Sequence, residues 1–249
     1  MWFSHTYRLD VGVGLDAPDV RQRSYGVHFV LGYHWAVYRC GDPVARAARK
    51  RDVRRLGRSL HCPAHVARQG CDAVAPIGES GPQCGTANSI GGYTRIIGVG
   101  STGSYSDDPT VLTPFSAKGL FFAVDPVIKR HVVLVKPDIS APTMDTLSAD
   151  YENVTGYVTD GSGVVALLKS AKPDLTPDEI YTYLTRTADR ASLNTTEPAV
   201  WYDRNRIVLF PGVANCGGIP YSSWPNNHFG YGQVNVAAIL STGSLIDLP

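Results

Sequence analysis

Residues 136–142 read Lys-Pro-Asp-Ile-Ser-Ala-Pro, and the segments on either side of them carry the clearest signs of regular structure in the chain. Upstream, residues 96–100 (Ile-Ile-Gly-Val-Gly) are a short apolar run with β-branched side chains, which predicts a buried strand. Downstream, residues 162–170 are apolar on nearly all sides, which predicts a helix in the core. The side chains expected to be almost fully buried on this helix are Val164, Val165, Leu167 and Leu168.

A second helix is predicted just beyond the first. Pro173 helps to end the first helix, and the sequence Thr176-Pro177-Asp178-Glu179 is a sharp helix start. The threonine can cap, the proline fits the first turn, and the glutamate can reach back to the amide of the cap. A strand, a buried helix and a second helix in this order predict a layered α/β sandwich.

Four more segments accompany residues 136–142 in a fixed order. They are residues 78–82 (Gly-Glu-Ser-Gly-Pro), 96–102 (Ile-Ile-Gly-Val-Gly-Ser-Thr), 115–119 (Phe-Ser-Ala-Lys-Gly) and 230–235 (Gly-Tyr-Gly-Gln-Val-Asn). In sequence and order, the five segments resemble the subtilisin-like serine proteases (subtilases). Residues 136–142 match that family's Lys-Pro-Asp-(Ile/Val)-x-Ala-Pro segment nearly letter for letter.

The resemblance implies a fold class and a division of the chain. The fold is expected to be α/β and subtilisin-like, with a mainly parallel sheet flanked by helices and an incomplete N-terminal half. Residues 1–72 would be a degraded N-terminal part of the catalytic domain with a basic insertion, and residues 73–249 its C-terminal half. The family hydrolyses peptide bonds with an Asp-His-Ser triad and needs no cofactor, so peptide or protein substrates are implied.

Two triad positions can be assigned from the resemblance. Asp10, in Leu9-Asp10-Val11-Gly12-Val13, is similar to the family's Asp-(Ser/Thr)-Gly segment, although a surface turn explains these residues about as well. Counting back from Gly163 places Thr155 at the serine position. A working triad places the acid and hydroxyl oxygens about 7–8 Å apart. With allowance for missing strands, the Asp10 carboxylate is expected within about 12 Å of the Thr155 hydroxyl. Thr155 is more easily read as a turn hydroxyl, and Ser162, a second candidate nucleophile, as a helix cap.

The remaining catalytic signatures are replaced or missing. Glu79 stands where the family has an asparagine that donates to the oxyanion, and a carboxylate repels that charge instead. The histidine signature His-Gly-Thr-His is absent. Four histidines lie between Asp10 and the well-matched half, and none has the glycine and second histidine of the signature beside it; they are His28, His34, His61 and His65.

Composition narrows the choice of partners. The net charge is +1, and no apolar run approaches the roughly 18 residues of a membrane helix, so neither nucleic acid nor a membrane is expected. Residues 39–68 hold eight arginines and one lysine against two acids, which we interpret as a solvated insertion rather than a phosphate-binding helix. No Cys/His spacing suits zinc, and no metal site is predicted.

The cellular compartment is left open by the residues alone. Five cysteines are an odd number, so at least one has no partner within the chain. The sequons at residues 153–155 and 194–196 fit a secreted protein, whereas the first ten residues contain no apolar core of a signal peptide. The family resemblance implies an extracellular protein.

Three functional classes remain on this basis. The chain is an active serine endopeptidase with a shifted nucleophile, a pseudoprotease that binds peptides or proteins without turnover, or a decayed product with no stable fold. Two departures fall in the well-matched half: residues 120–135 are longer than the family's usual link, and Thr143 replaces a glycine. By family the function is a serine endopeptidase, and by its residues the chain is expected to have little or no activity.

Overall fold

The computed structural model describes the chain from residue 73 onward in segments, together with two strands before it. The described ranges are 27–30, 35–38, 73–87, 91–94, 96–104, 108–124, 130–144, 159–203, 205–212, 215–241 and 244–246.

Strands in the described residues outnumber helices. In chain order the strands are β1 (Val27–Val30), β2 (Trp35–Tyr38), β3 (Ala73–Pro76), β4 (Ile97–Thr102), β5 (Phe121–Val124), β6 (His131–Leu134), β7 (Ile139–Pro142), β8 (Val200–Tyr202), β9 (Val208–Pro211), β10 (Leu240–Ser241) and β11 (Ser244–Leu245). The helices are α1 (Thr159–Ala171), α2 (Pro177–Arg186) and the short α3 (Val236–Ile239), with a 3₁₀ turn at Cys216–Gly218.

The main sheet has five strands in the order β1-β2-β3-β4-β7. Strands β3, β4 and β7 run parallel, whereas β1 and β2 add to the β3 side in antiparallel pairs. All six residues of β4 are buried, as a strand between two parallel neighbours requires. The predicted α/β class with parallel strands and the buried strand at 96–100 are confirmed.

Helix α1 packs against the sheet along one stripe. Val164, Val165 and Leu168 are buried in the same core cluster as Val99 and Ile139. The expectation that all four apolar side chains would be buried was wrong for Leu167, which is 37% exposed. A helix that covers a sheet buries only one stripe, and position 167 points to the flank of the stripe formed by 164, 165 and 168.

The start of α2 follows the sequence prediction in detail. The Thr176 side chain accepts a hydrogen bond from the amide of Glu179 (3.2 Å), and the Glu179 carboxylate accepts one from the Thr176 amide (2.7 Å). These bonds hold the pKa of Glu179 below its usual value. Ile180 and Leu184 lie on the buried face of the helix and join the core cluster that contains α1.

Residues 136–142 contain an ion pair inside the protein. Lys136 and Asp138 are 3% and 7% exposed, and 2.5 Å separate the lysine Nζ from the aspartate Oδ2. The same Nζ donates to the carbonyl of Ile96 (2.8 Å), and Oδ2 also accepts from the amide of Gly98 (2.6 Å). The Tyr181 hydroxyl donates to Oδ1 (3.2 Å). The pair therefore joins β4, the entry to β7 and helix α2.

The two sequence departures in this half have structural explanations. The extra length of residues 120–135 is used for the antiparallel β5–β6 hairpin, where the exposed side chains of Phe122 and Val133 lie directly opposite each other. Thr143 is buried, and its hydroxyl forms a short hydrogen bond with the hydroxyl of Ser101. Glycine at position 143 would leave the Ser101 hydroxyl without this partner.

Replacing Lys136 with methionine is expected to destabilise the fold by about 3–5 kcal/mol, because the variant leaves the Asp138 carboxylate buried without its countercharge. Guanidinium chloride unfolding curves of the two proteins measure the difference. Lys172→Met, at an exposed lysine, is the matched control and should change the free energy of unfolding by less than about 0.5 kcal/mol. Equal effects of the two substitutions would contradict this role of Lys136.

Candidate functional site

Glu79 lies at the carboxyl end of β3, the edge of the parallel sheet where α/β proteins gather their sites. Strand β3 ends at Pro76, and Gly78 follows with a positive φ of 116°. The Glu79 side chain is exposed at this bend. The structure therefore places the Glu79 side chain at the surface beside the end of β3.

The loop that carries Glu79 is held by backbone hydrogen bonds to residues 115–119. The amide of Gly81 donates to the carbonyl of Phe115 (3.0 Å), and the amide of Ala117 donates to the carbonyl of Gly78 (3.0 Å). A Cβ on Gly81 would lie 2.1 Å from the carbonyl oxygen of Ser116, so this approach needs glycine. Two of the five matched segments are thus in direct contact, as expected for parts of one site.

A disulfide anchors the far end of the same loop. Cys84 is bonded to Cys216, at the start of the 3₁₀ turn, across 132 positions of sequence. The Asn227 side chain donates to the carbonyl of Cys216 (3.0 Å), which ties the disulfide to the turn before the C-terminal matched segment. The loop around Glu79 is consequently fixed at both of its ends.

Asp10 and Thr155, the other two predicted site residues, lie outside the described residues, and the expected separation between them stays a prediction. Helix α1 begins at Thr159, close after Thr155 in sequence, and the side chain of Ser162 is not described. Of the predicted set, Glu79 alone is placed. Its chemistry is that of a hydrogen-bond acceptor: a carboxylate has no proton to donate to a developing oxyanion.

A second polar cluster, which the sequence analysis missed, is buried around one of the residues of segment 115–119. Its centre is Lys118, whose side chain is fully buried and whose Nζ lies 3.0 Å from Glu197 Oε1 and 3.2 Å from the Tyr221 hydroxyl. The Trp201 indole donates to the same Glu197 oxygen (3.1 Å), and the lysine Nζ sits 4.6 Å from the centre of the Trp201 ring. We call these residues, with His228, the Lys118 cluster.

His228 is the unusual member of the Lys118 cluster. It is fully buried, its ring stacks on Tyr221 with centroids 3.6 Å apart, and no described residue forms a hydrogen bond with either ring nitrogen. Burial and the nearby Lys118 ammonium lower the pKa of His228 to about 3. The Glu197 carboxylate is 3.6 Å away, but an imidazole with this pKa is neutral at physiological pH, so the contact is not an ion pair.

Burial also shifts the other titrating members of the cluster. Desolvation lowers the pKa of Lys118, and the attraction of Glu197 raises it part of the way back. Burial raises the pKa of Tyr221 above its ordinary value, and the hydrogen bond to Glu197 adds to that effect. Lys118 and His228 have no solvent-accessible surface for a substrate to reach. The two side chains are therefore placed to pack inside the fold and not to contact a substrate.

The amino-acid sequence contains few signals that predict the Lys118 cluster. The partners of Lys118 are 79 and 103 positions away, and neither lies in a matched segment. One usable signal is the lysine in Phe-Ser-Ala-Lys-Gly, where a buried turn needs small or apolar side chains. Within the described part of the chain, no group of three or more His, Cys, Asp or Glu residues is placed to hold a metal ion. None of the described helices is long and apolar enough to cross a membrane.

Comparisons with known proteins return proteases. No protein-family model matches the sequence. The structure named S41 psychrophilic protease matches with a TM-score of 0.48 at 19% identity, over 70% of this chain and 51% of that one. The CspB protease of Clostridium perfringens matches with a TM-score of 0.39 at 22% identity, over 64% and 29%. MycP1 without its N-terminal propeptide matches with a TM-score of 0.39 at 18% identity, over 87% and 61%.

Each of these matches has a TM-score below 0.5 and less than 25% identity to this chain. The chain spans about half the length of the first of these structures, and between 29% and 61% of the three named above. Activity, substrates and partners of a whole protease do not transfer with a match of this extent.

The buried neutral state of His228 predicts a dependence of stability on pH. Its pKa is about 3 in the folded protein and about 6.5 in the unfolded chain, so between these values the unfolded chain binds more protons. Stability is complete above about pH 6.5 and falls as the pH is lowered towards 3, by up to about 1.4 kcal/mol per pH unit.

Replacing His228 with phenylalanine removes this titration and keeps an aromatic ring against Tyr221. The slope of unfolding free energy against pH, measured by urea unfolding from pH 4 to 6.5, should decrease by the contribution of one bound proton, which is up to about 1.4 kcal/mol per pH unit. His131→Phe, at an exposed histidine of β6, is the matched control and should leave the slope nearly unchanged. An unchanged slope in His228→Phe would show that the imidazole is not held neutral.

Proposed function

We propose that this chain is a subtilisin-like serine endopeptidase by descent with little or no remaining peptidase activity. The observation that carries the proposal is the exposed Glu79 carboxylate at the carboxyl end of β3. In acyl transfer, the enzyme must aim hydrogen-bond donors at the oxygen that becomes negative. Removing the side-chain amide with this role in subtilisin costs about 100- to 1000-fold in turnover, and an anion in its place adds repulsion.

The support around Glu79 makes the substitution more damaging. The loop is bonded to residues 115–119 by backbone hydrogen bonds and is closed by the Cys84–Cys216 disulfide. A loop fixed in this way does not readily move its backbone to bring an amide to the same point. The substitution of the serine position by Thr155 and the missing histidine signature act in the same direction.

The compartment we propose is extracellular. The Cys84–Cys216 disulfide needs an oxidising environment to form and persist, such as the secretory route or the cell exterior. This agrees with the location implied by the family resemblance. The proposed partners are peptide or protein segments, with neither nucleic acid nor a membrane.

A non-catalytic pseudoprotease is the second candidate, and exposed apolar side chains favour it. Phe122 and Val133 of the β5–β6 hairpin are 71% and 54% exposed. The β8–β9 hairpin presents a second group, made of Tyr202, Ile207, Val208 and Leu209. Contiguous exposed apolar surface is typical of regions that bind other proteins. Binding of a protein ligand without its cleavage distinguishes this candidate from a chain without any function.

The purified full chain is expected neither to cleave denatured casein nor to react with a fluorophosphonate probe, because the proposal puts Thr155 in the place of the serine and Glu79 in the place of the oxyanion donor. The variant Thr155→Ser/Glu79→Asn should also remain inactive, since a serine without a base stays protonated and weakly nucleophilic. Fluorescence of the labelled protein on a gel and release of casein peptides are the two measurements.

Subtilisin serves as the positive control for both assays, and the heat-denatured chain corrects for non-specific labelling. A probe adduct mapped to any serine or threonine of the native chain would refute the proposal. Hydrolysis by the double variant alone would show that one of the upstream histidines already acts as a base, which would make the loss of activity reversible by two substitutions.

A further inference from the structure

The sequon at residues 194–196 lies on the surface between two buried anchors. Leu193 is 7% exposed and packs in an apolar cluster with Trp201 and Phe229, while the Glu197 side chain is 6% exposed within the Lys118 cluster. Between them, Asn194 and Thr196 are both exposed. The segment is thus fixed at both ends, and the asparagine and threonine of the sequon face solvent.

The local backbone of the sequon is a turn closed by its own asparagine. The Asn194 Oδ1 accepts a hydrogen bond from the amide of Thr196 (2.9 Å), which forms an Asx turn. The backbone amide of Asn194 donates to the backbone carbonyl of Thr110 (2.9 Å), which fixes the backbone of the turn. The bond to Thr196 uses the oxygen of the side-chain amide, so the nitrogen Nδ2 takes no part in it.

The disulfide independently indicates the compartment in which enzymes could modify this sequon. Cys84–Cys216 joins two distant parts of the chain, and a bond of this kind forms in oxidising compartments such as the lumen of the endoplasmic reticulum. Asn-x-Thr triplets of secreted proteins are acceptors for oligosaccharides, which are bulky and need a surface position. The sequence, the exposure and the compartment therefore agree.

We propose that Asn194 is an N-glycosylation site. It accepts the sugar from a lipid-linked oligosaccharide diphosphate. The Asn194 Nδ2 forms a bond to C1 of the first sugar, and the bond between C1 and the diphosphate oxygen breaks. The lipid diphosphate leaves with the electron pair of that bond, and the proton lost by the amide passes to a base of the transferase. The product is an oligosaccharide attached at the surface, next to the anchored turn.

The experiment uses the full chain, preceded by a cleavable secretion leader, in a eukaryotic cell. Protein from the medium and from the cell membranes is digested, with and without peptide N-glycosidase, and peptides are analysed by mass spectrometry. In both pools, we expect glycosidase treatment to release the sugar and to leave aspartate at position 194 of the peptide. Because the modification precedes export, the membrane pool gives an answer even when secretion is poor.

Three variants separate recognition of the sequon from other effects. Thr196→Ala should reduce the modified peptide to background, whereas Thr195→Ala, in the adjacent and freely variable position, should keep it. Thr196→Ser restores the hydroxyl and should restore modification. An unmodified asparagine at 194 in the unaltered chain, or sugar confined to the sequon at 153–155, would overturn the proposal. These outcomes do not depend on peptidase activity, so either proposal can fail alone.

Discussion

The ion pair between Lys136 and Asp138 is the constraint on which the described half of the fold depends. Removing two charges from water costs several kcal/mol each, and the cost is offset only when every remaining hydrogen-bonding group finds a partner. Here the partners come from β4, from helix α2 and from the pair itself. The backbone carbonyl of Asp138 also accepts from Tyr231, and a Cβ on Gly230 would lie 2.2 Å from that carbonyl oxygen. The geometry of this junction admits few substitutions.

The matched segments in the described half of the chain support one another through backbone hydrogen bonds and strand pairing. The groups that hold the parallel strands, the loop after β3 and the turn at 115–119 are in place and mutually bonded. Glu79, which we propose takes the place of the family's oxyanion donor, is an exposed residue after β3. A substitution at a buried residue lowers the stability of the fold, whereas a substitution at an exposed catalytic residue can leave the fold unaffected. Under the proposed function, this difference accounts for a well-formed frame around an altered site.

Sequence predicted the elements whose causes are local. Helix α2 was predicted correctly because Thr176 and Glu179 satisfy each other within one turn, and the strand at 96–100 because its residues are uniformly apolar. Leu167 was placed wrongly, since periodicity does not say how much of a helix its neighbours cover. The Lys118 cluster was missed because its contacts join residues far apart in sequence. For the candidate site, the resemblance supplied positions, and of these only Glu79 lies in the described residues.

The disulfide has a consequence for the integrity of the chain. Cys84 and Cys216 are 132 positions apart, so the bridge encloses the strands from β4 to β9 and both longer helices in one covalent loop. A single backbone cut anywhere inside that loop opens the ring but releases no fragment. The nicked protein therefore keeps its full mass under denaturing conditions and separates into two pieces only after a reductant is added.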